Sequence, residues 1–155
     1  MILQVLAGAV GAVAFALLFG IPRRYFVGCS LTAAVGWLVY SLLEGYTGAG
    51  VTLATLAASV CMALAARAFA VRQSCPVTVF LTSGITPLVP GGRLFWMAYY
   101  MVIGSNAPAA ENGLTALKAA FAIVLGIVIV FEIPGSFFGL FRPQPRPRPA
   151  SHKNQ

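Results

Sequence analysis

Five apolar runs, at roughly 2–21, 26–43, 50–70, 77–104 and 114–133, leave little of this chain for anything else. Each is close to the ~20 residues an α-helix needs to cross a hydrocarbon core about 30 Å thick. Lipid offers the backbone no hydrogen-bond partners, so such runs fold as helices that satisfy their own N–H and C=O groups. Charged residues make up 8% of the chain, against about a quarter in soluble domains. With 59% hydrophobic residues and a mean hydropathy of +0.89, a soluble fold could not cover its surface with polar groups. The reading is an all-α integral membrane protein. Its 155 residues have room for one compact unit, a bundle of about five transmembrane helices over residues 1–141.

The breaks between runs carry the charges. Pro22-Arg23-Arg24 follows the first run, Glu44-Gly45-Tyr46-Thr47-Gly48 the second, and Arg67 and Arg72 close the third. Asn106, Pro108, Glu111 and Asn112 form the fourth break. Basic and acidic breaks alternate, and the positive-inside rule then gives one topology: N-terminus outside, C-terminus in the cytoplasm. Five crossings make that alternation consistent. Met1 is followed by no charged segment, so the first run is expected to be a retained span and not a cleaved signal peptide. From Arg142 the chain alternates proline with arginine. Residues 142–155 are therefore expected to be a disordered basic tail on the cytoplasmic side, either topogenic or in contact with anionic lipid.

The net charge of +7 does not point to nucleic acid, because the basic residues are scattered at the ends of apolar runs and form no stripe. Cys29, Cys61 and Cys75 have neither metal-ligand nor redox spacing and read as small hydrophobes. No histidine or aspartate falls in a run; His152 lies in the tail. No nucleophile has a base nearby in sequence. The chain is not expected to be an enzyme, and neither cofactor nor metal is expected.

The fourth run is the unusual one. Pro87, Pro90, Gly91 and Gly92 follow one another too closely for a regular helix. The break they make falls near the middle of a stretch long enough for one crossing. Irregular backbone at that depth is tolerated only inside protein or along a water-filled cavity. One reading is a discontinuous helix whose second half starts near Gly91 and offers free N–H groups to an anion, with Arg93 adding charge. The other is a proline kink with Arg93 snorkelling or paired, since an isolated arginine at mid-membrane costs about 3 kcal/mol or more. Thr78, Thr82 and Thr86 share a helical face, either lining a polar path or bonding back to carbonyls one turn earlier. Glu132 ends the fifth run beside Ile133-Pro134-Gly135, as a proton-coupling carboxylate or as an interfacial residue.

Small residues recur every four positions: Ala12, Ala16 and Gly20, then Ala54 and Ala58, then Ala122 and Gly126. Such faces let helix backbones approach closely in lipid. They exceed what one short bundle needs and are expected to leave a surface for another membrane subunit.

The segment Gly84-Ile85-Thr86-Pro87-Leu88-Val89-Pro90-Gly91-Gly92 resembles the signature of the threonine/serine exporter (ThrE-type) family. With Val35-Gly36-Trp37 in the second run and the order of runs over roughly 5–140, the chain looks like the small integral-membrane subunit of that family's split, two-component form. The resemblance implies a bacterial inner-membrane location and a larger membrane subunit of the same family as partner. It also implies export of small carboxylated metabolites such as threonine, serine or succinate. Thr82, Thr86, Pro87, Pro90, Gly91, Gly92 and Arg93 are then the candidate substrate-binding residues, and Glu132 the candidate for proton coupling. The resemblance leads one to expect a small or neutral residue at 93, so a role for Arg93 would be particular to this sequence. The competing reading is a non-transporting scaffold that stabilises a partner; a polar cavity at the break would favour the carrier, a closed apolar bundle the scaffold.

Overall fold

The computed structural model describes residues 2–48 and 50–134, and every regular element among them is helical. Helices α1 (Ile2–Leu18), α2 (Phe26–Thr47) and α3 (Val51–Gln73) precede α4 (Thr78–Ile85) and a 3-10 turn at Thr86–Leu88. Then come α5 (Gly91–Val102) and α6 (Asn106–Glu132). Three segments, Arg23–Tyr46, Val51–Gln73 and Asn106–Glu132, are long and apolar enough to cross a membrane; Leu3–Leu18 and Thr78–Leu88 are shorter apolar helices. The tail 142–155, with His152, and Gly135 beside Glu132 lie outside the described residues.

Helix ends follow local chemistry more closely than they follow the apolar runs. The first helix stops at Leu18 because Gly20 turns left-handed (φ +68°) and the Ile21 N–H returns to the Ala16 carbonyl at 2.9 Å. The second outlasts its run and ends at Thr47, where Gly48 takes φ +59°. The fourth break, expected as a loop, is instead the start of α6: Asn106, Pro108, Glu111 and Asn112 are all helical. Proline is compatible with a first turn, where its missing N–H has no intrahelical acceptor.

Register explains this correction. The Ser59 hydroxyl reaches the Ala122 carbonyl at 3.3 Å. Ser59 lies eight residues beyond Val51 and Ala122 sixteen beyond Asn106, so α6 begins eight residues, about 12 Å, further out than α3. The apolar run begins near 114 because the residues before it stand beyond the end of α3, still helical.

Helix α3 is the hub, with Ala54, Ala58, Met62, Ala63 and Ala66 fully buried. Close approach needs glycine on its partners. A Cβ at Gly126 of α6 would strike the Ser59 hydroxyl and come within 3.1 Å of the Val60 backbone nitrogen. Helix α4 wedges between α2 and α3, where a Cβ at Gly84 would lie 2.7 Å from the Thr32 methyl and 3.3 Å from the Met62 sulfur. The small-residue faces are thereby used up: Ala12, Ala16, Ala54, Ala58, Ala122 and Gly126 are all buried within this chain, and Gly20 lies outside α1. The expectation that these faces would wait for another subunit is corrected. In lipid, backbone proximity is itself the cohesive term, so a small bundle consumes such faces.

Arginines gather at one end of the bundle, where Glu132 at the end of α6 also lies. Ala16, Tyr25, Cys29, Ala66, Ala70 and Phe80 form one cluster that gathers the end of α1, the starts of α2 and α4 and the end of α3. Arg23, Arg24 and Arg72 belong to this end. Glu44, in the last turn of α2, and Glu111, early in α6, belong to the other. Arg67, expected to close the third run from a loop, sits inside α3. It donates to the carbonyls of Val130 and Ile133 (2.8 Å to the latter), capping the C-terminus of α6, which carries partial negative charge.

Candidate functional site

The expected break is present, and its backbone shows why. Helix α4 tightens into the Thr86–Leu88 turn, Val89 is extended (φ −60°, ψ 127°) and Pro90 is non-helical (ψ 51°) before α5 restarts at Gly91. Pro87 and Pro90 supply no N–H, so the ladder cannot cross them. A Cβ at Gly8 would touch Pro87 at 3.6 Å and Trp37 at 3.8 Å. One at Gly36 would touch Met62 at 3.2 Å and Leu88 at 3.5 Å. Gly8, Trp37 and Met62 each lie about halfway along their helices, so the break sits at mid-depth of α1, α2 and α3.

A cavity of about 400 Å³ opens beside it. Its wall runs from Pro87 through Arg93 on the broken helix to Trp37 and Tyr40 on α2, Val51 and Thr55 on α3, Trp96 on α5 and Ala119 on α6. At the start of α5 the Gly91 N–H bonds to Val89 at 2.7 Å and the Leu94 N–H to Pro90 at 3.1 Å. The N–H groups of Gly92 and Arg93 have no backbone acceptor among the described residues, as expected in the first turn of a helix. Added Cβ atoms at Gly91 and Gly92 meet nothing within 4 Å, so these glycines keep the backbone open to the cavity.

Arg93 brings the cavity its one full charge among the lining residues. Its head donates to Asn112 Oδ1 at 3.3 Å, and Asn112 is anchored to the Pro108 carbonyl at 2.9 Å. The guanidinium thus leans toward the polar start of α6, which is the paired, snorkelling geometry, while its main-chain N–H stays at the cavity. The Tyr40 hydroxyl lies within the influence of both Glu44, one turn further along α2, and Arg93. Positive charge and unused N–H groups on one wall suit a carboxylate.

Of the residues singled out from sequence, Pro87, Pro90, Gly91, Gly92 and Arg93 meet at this cavity. Thr82 and Thr86 stand outside its lining. Their hydroxyls bond back to the Thr78 (2.7 Å) and Thr82 (3.4 Å) carbonyls, the second of the two uses open to them. Glu132 is exposed at the far end of α6, away from the break. Among the described residues no group of three His, Cys, Asp or Glu side chains is placed to hold a metal ion. Sequence reasoning named Trp37 only as part of the family resemblance, and it missed Tyr40, Thr55 and Trp96. One signal was available: the chain's two tryptophans, polar-tipped rings within apolar runs, both line this cavity.

A bundle of apolar helices with one helix broken at mid-depth beside a cavity defines the class as a helical membrane protein. Within it, this chain belongs to the threonine/serine exporter (ThrE) family, whose pattern matches residues 4–133. It is 31% identical over 111 residues to a probable threonine/serine exporter of Mycobacterium tuberculosis (strain ATCC 25618 / H37Rv). That match takes in 70% of this chain and 20% of the relative, so the chain spans about a fifth of the length of the curated protein it matches. No solved structure matches.

Proposed function

We propose that this chain is the small subunit of a two-component exporter of small carboxylated metabolites, either threonine and serine or a succinate-like dicarboxylate. It is not an enzyme; it sits in the bacterial inner membrane and crosses it five times. Its N-terminus is outside, and it works beside a larger membrane subunit of the same family. The observation that carries this reading is the mid-depth cavity walled by the broken helix, with two unused N–H groups and Arg93 at the start of α5. Family membership supports export. A partner is supported by the usual build of alternating-access carriers from two repeats or bundles rocking about a central site.

The scaffold alternative calls for a closed apolar bundle at the break; the open cavity there, mostly apolar but carrying Arg93 and two unused N–H groups, favours the carrier over it. The deciding experiment expresses this chain alone, then with the larger subunit, in cells loaded with a threonine dipeptide or accumulating succinate. Efflux above background is expected only from the pair. Full efflux from this chain alone, in cells lacking any family member, would show that the split-carrier reading is wrong.

A further inference from the structure

Among the described residues, one buried side-chain polar atom has no hydrogen-bond partner, and it is Trp37 Nε1. The other buried polar side chains are all satisfied: Thr32 by Gly28, Thr55 by Val51, Ser59 by Leu56 and Ala122, Ser83 by Val79 and Phe80. A buried donor left without an acceptor forfeits the free energy that burying it cost, so an orphan in an otherwise satisfied core marks a place where something else supplies the acceptor. The ring that carries this orphan lines the cavity at the helix break. It stacks on Tyr40 along the α2 wall, centroids 5.4 Å apart and planes 29° apart. The free N–H groups of Gly92 and Arg93 line the same cavity. The lining otherwise brings Arg93, the Tyr40 and Thr55 hydroxyls and apolar side chains, and it offers no carboxylate to answer these donors.

We infer that Trp37 is a substrate-contacting specificity residue, whose indole N–H joins the start of α5 in holding the carboxylate of the exported molecule. The inference rests on the carrier reading for its substrate and adds to it a donor on a second helix. Trp37 lies on α2 and the N–H pair on α5, so a carboxylate bridging them ties the two halves of the cavity together. Nε1 is shut off from solvent in the empty cavity. A turn of the indole toward the entering anion is therefore part of binding, and the ring's environment changes when the site fills.

The test uses the full chain, purified in micelles with its indole nitrogens labelled with nitrogen-15. Its two tryptophans give two indole N–H resonances, and Trp37→Phe identifies one of them by its loss. Threonine or succinate should move the Trp37 resonance downfield, and threoninamide, which lacks the carboxylate, should leave it in place. In cells with the larger subunit, Trp37→Phe should raise KM for export about tenfold, the size expected for one hydrogen bond to a charged group. Trp37→His, which keeps a ring N–H, should recover part of that loss. A resonance unmoved by both carboxylates, with an unchanged KM in Trp37→Phe, would overturn the inference and leave the carrier reading standing. A moved resonance in a pair that exports none of these molecules would instead sink the carrier reading and keep the Trp37 site.

Discussion

At the scale of single residues, the bundle is held by absences as much as by side chains. Gly126 faces the Ser59 hydroxyl and the Val60 backbone, and the latter cannot swing aside. Gly126→Ala should therefore cost about 1–3 kcal/mol, the usual range for overpacking a well-filled contact. Gly11 on α1 has open space within 4 Å. Gly11→Ala should be neutral or gain up to about 1 kcal/mol from helix propensity. Detergent-titration unfolding followed by far-ultraviolet circular dichroism compares the two, and equal midpoints would mean that the α3–α6 contact is not tight. The spacing Ala122–Gly126 was legible in the sequence; which neighbour it faced was not. Small residues every four positions look the same whether they meet a helix of their own chain or of another. Arg67 was misread for a related reason, since its acceptors lie 63 and 66 residues away and no local pattern announces them.

At the scale of elements, the break in the fourth run was legible because its cause is local. Two prolines without N–H groups and two glycines interrupt a helix whatever surrounds them. Replacing Pro87, Pro90, Gly91 and Gly92 together by alanine should join α4 to α5 and bury the N–H groups of Gly92 and Arg93 in a continuous ladder. Export by the pair should fall below about a tenth of wild type while membrane insertion, read by extraction and blotting, is unchanged, because only a broken helix presents N–H groups at mid-depth. Wild-type export by that variant would reduce the motif to a kink. The start of α6 was not legible, because an apolar run marks where lipid begins and a helix has no reason to end there. Polar residues 106–113 continue the helix past the end of α3, and α5 packs against that extension with no buried residue of its own. Phe95, Trp96 and Tyr99 are left exposed on α5, a composition suited to the interfacial belt of a bilayer.

At the scale of the whole molecule, the gathering of arginines at one end turns the proposed orientation into a labelling experiment. Cys75 lies in the turn between α3 and α4, at the end that carries Arg23, Arg24 and Arg72. The proposed orientation places it in the cytoplasm. Asn106, exposed at the start of α6, lies at the opposite end. With Cys29 and Cys61 replaced by alanine, an impermeant thiol reagent should miss Cys75 in intact cells and label Asn106→Cys. The control in permeabilised cells depends on pH. Burial pushes the Cys75 thiol above its usual range, with or without Cys29 beside it, and Arg24 and the Tyr25 hydroxyl pull it part of the way back. Only the thiolate reacts, and a raised pKa means less thiolate at any given pH below it. Cys75 in permeabilised cells should therefore label more slowly than Asn106→Cys at pH 7, and its rate should climb about tenfold per pH unit toward pH 9. Labelling of Cys75 from outside intact cells at pH 8.5, with Asn106→Cys protected, would invert the topology. The Tyr40, Val51 and Thr55 wall of the cavity, which lies on the Glu44 side of the break, would then face the cytoplasm.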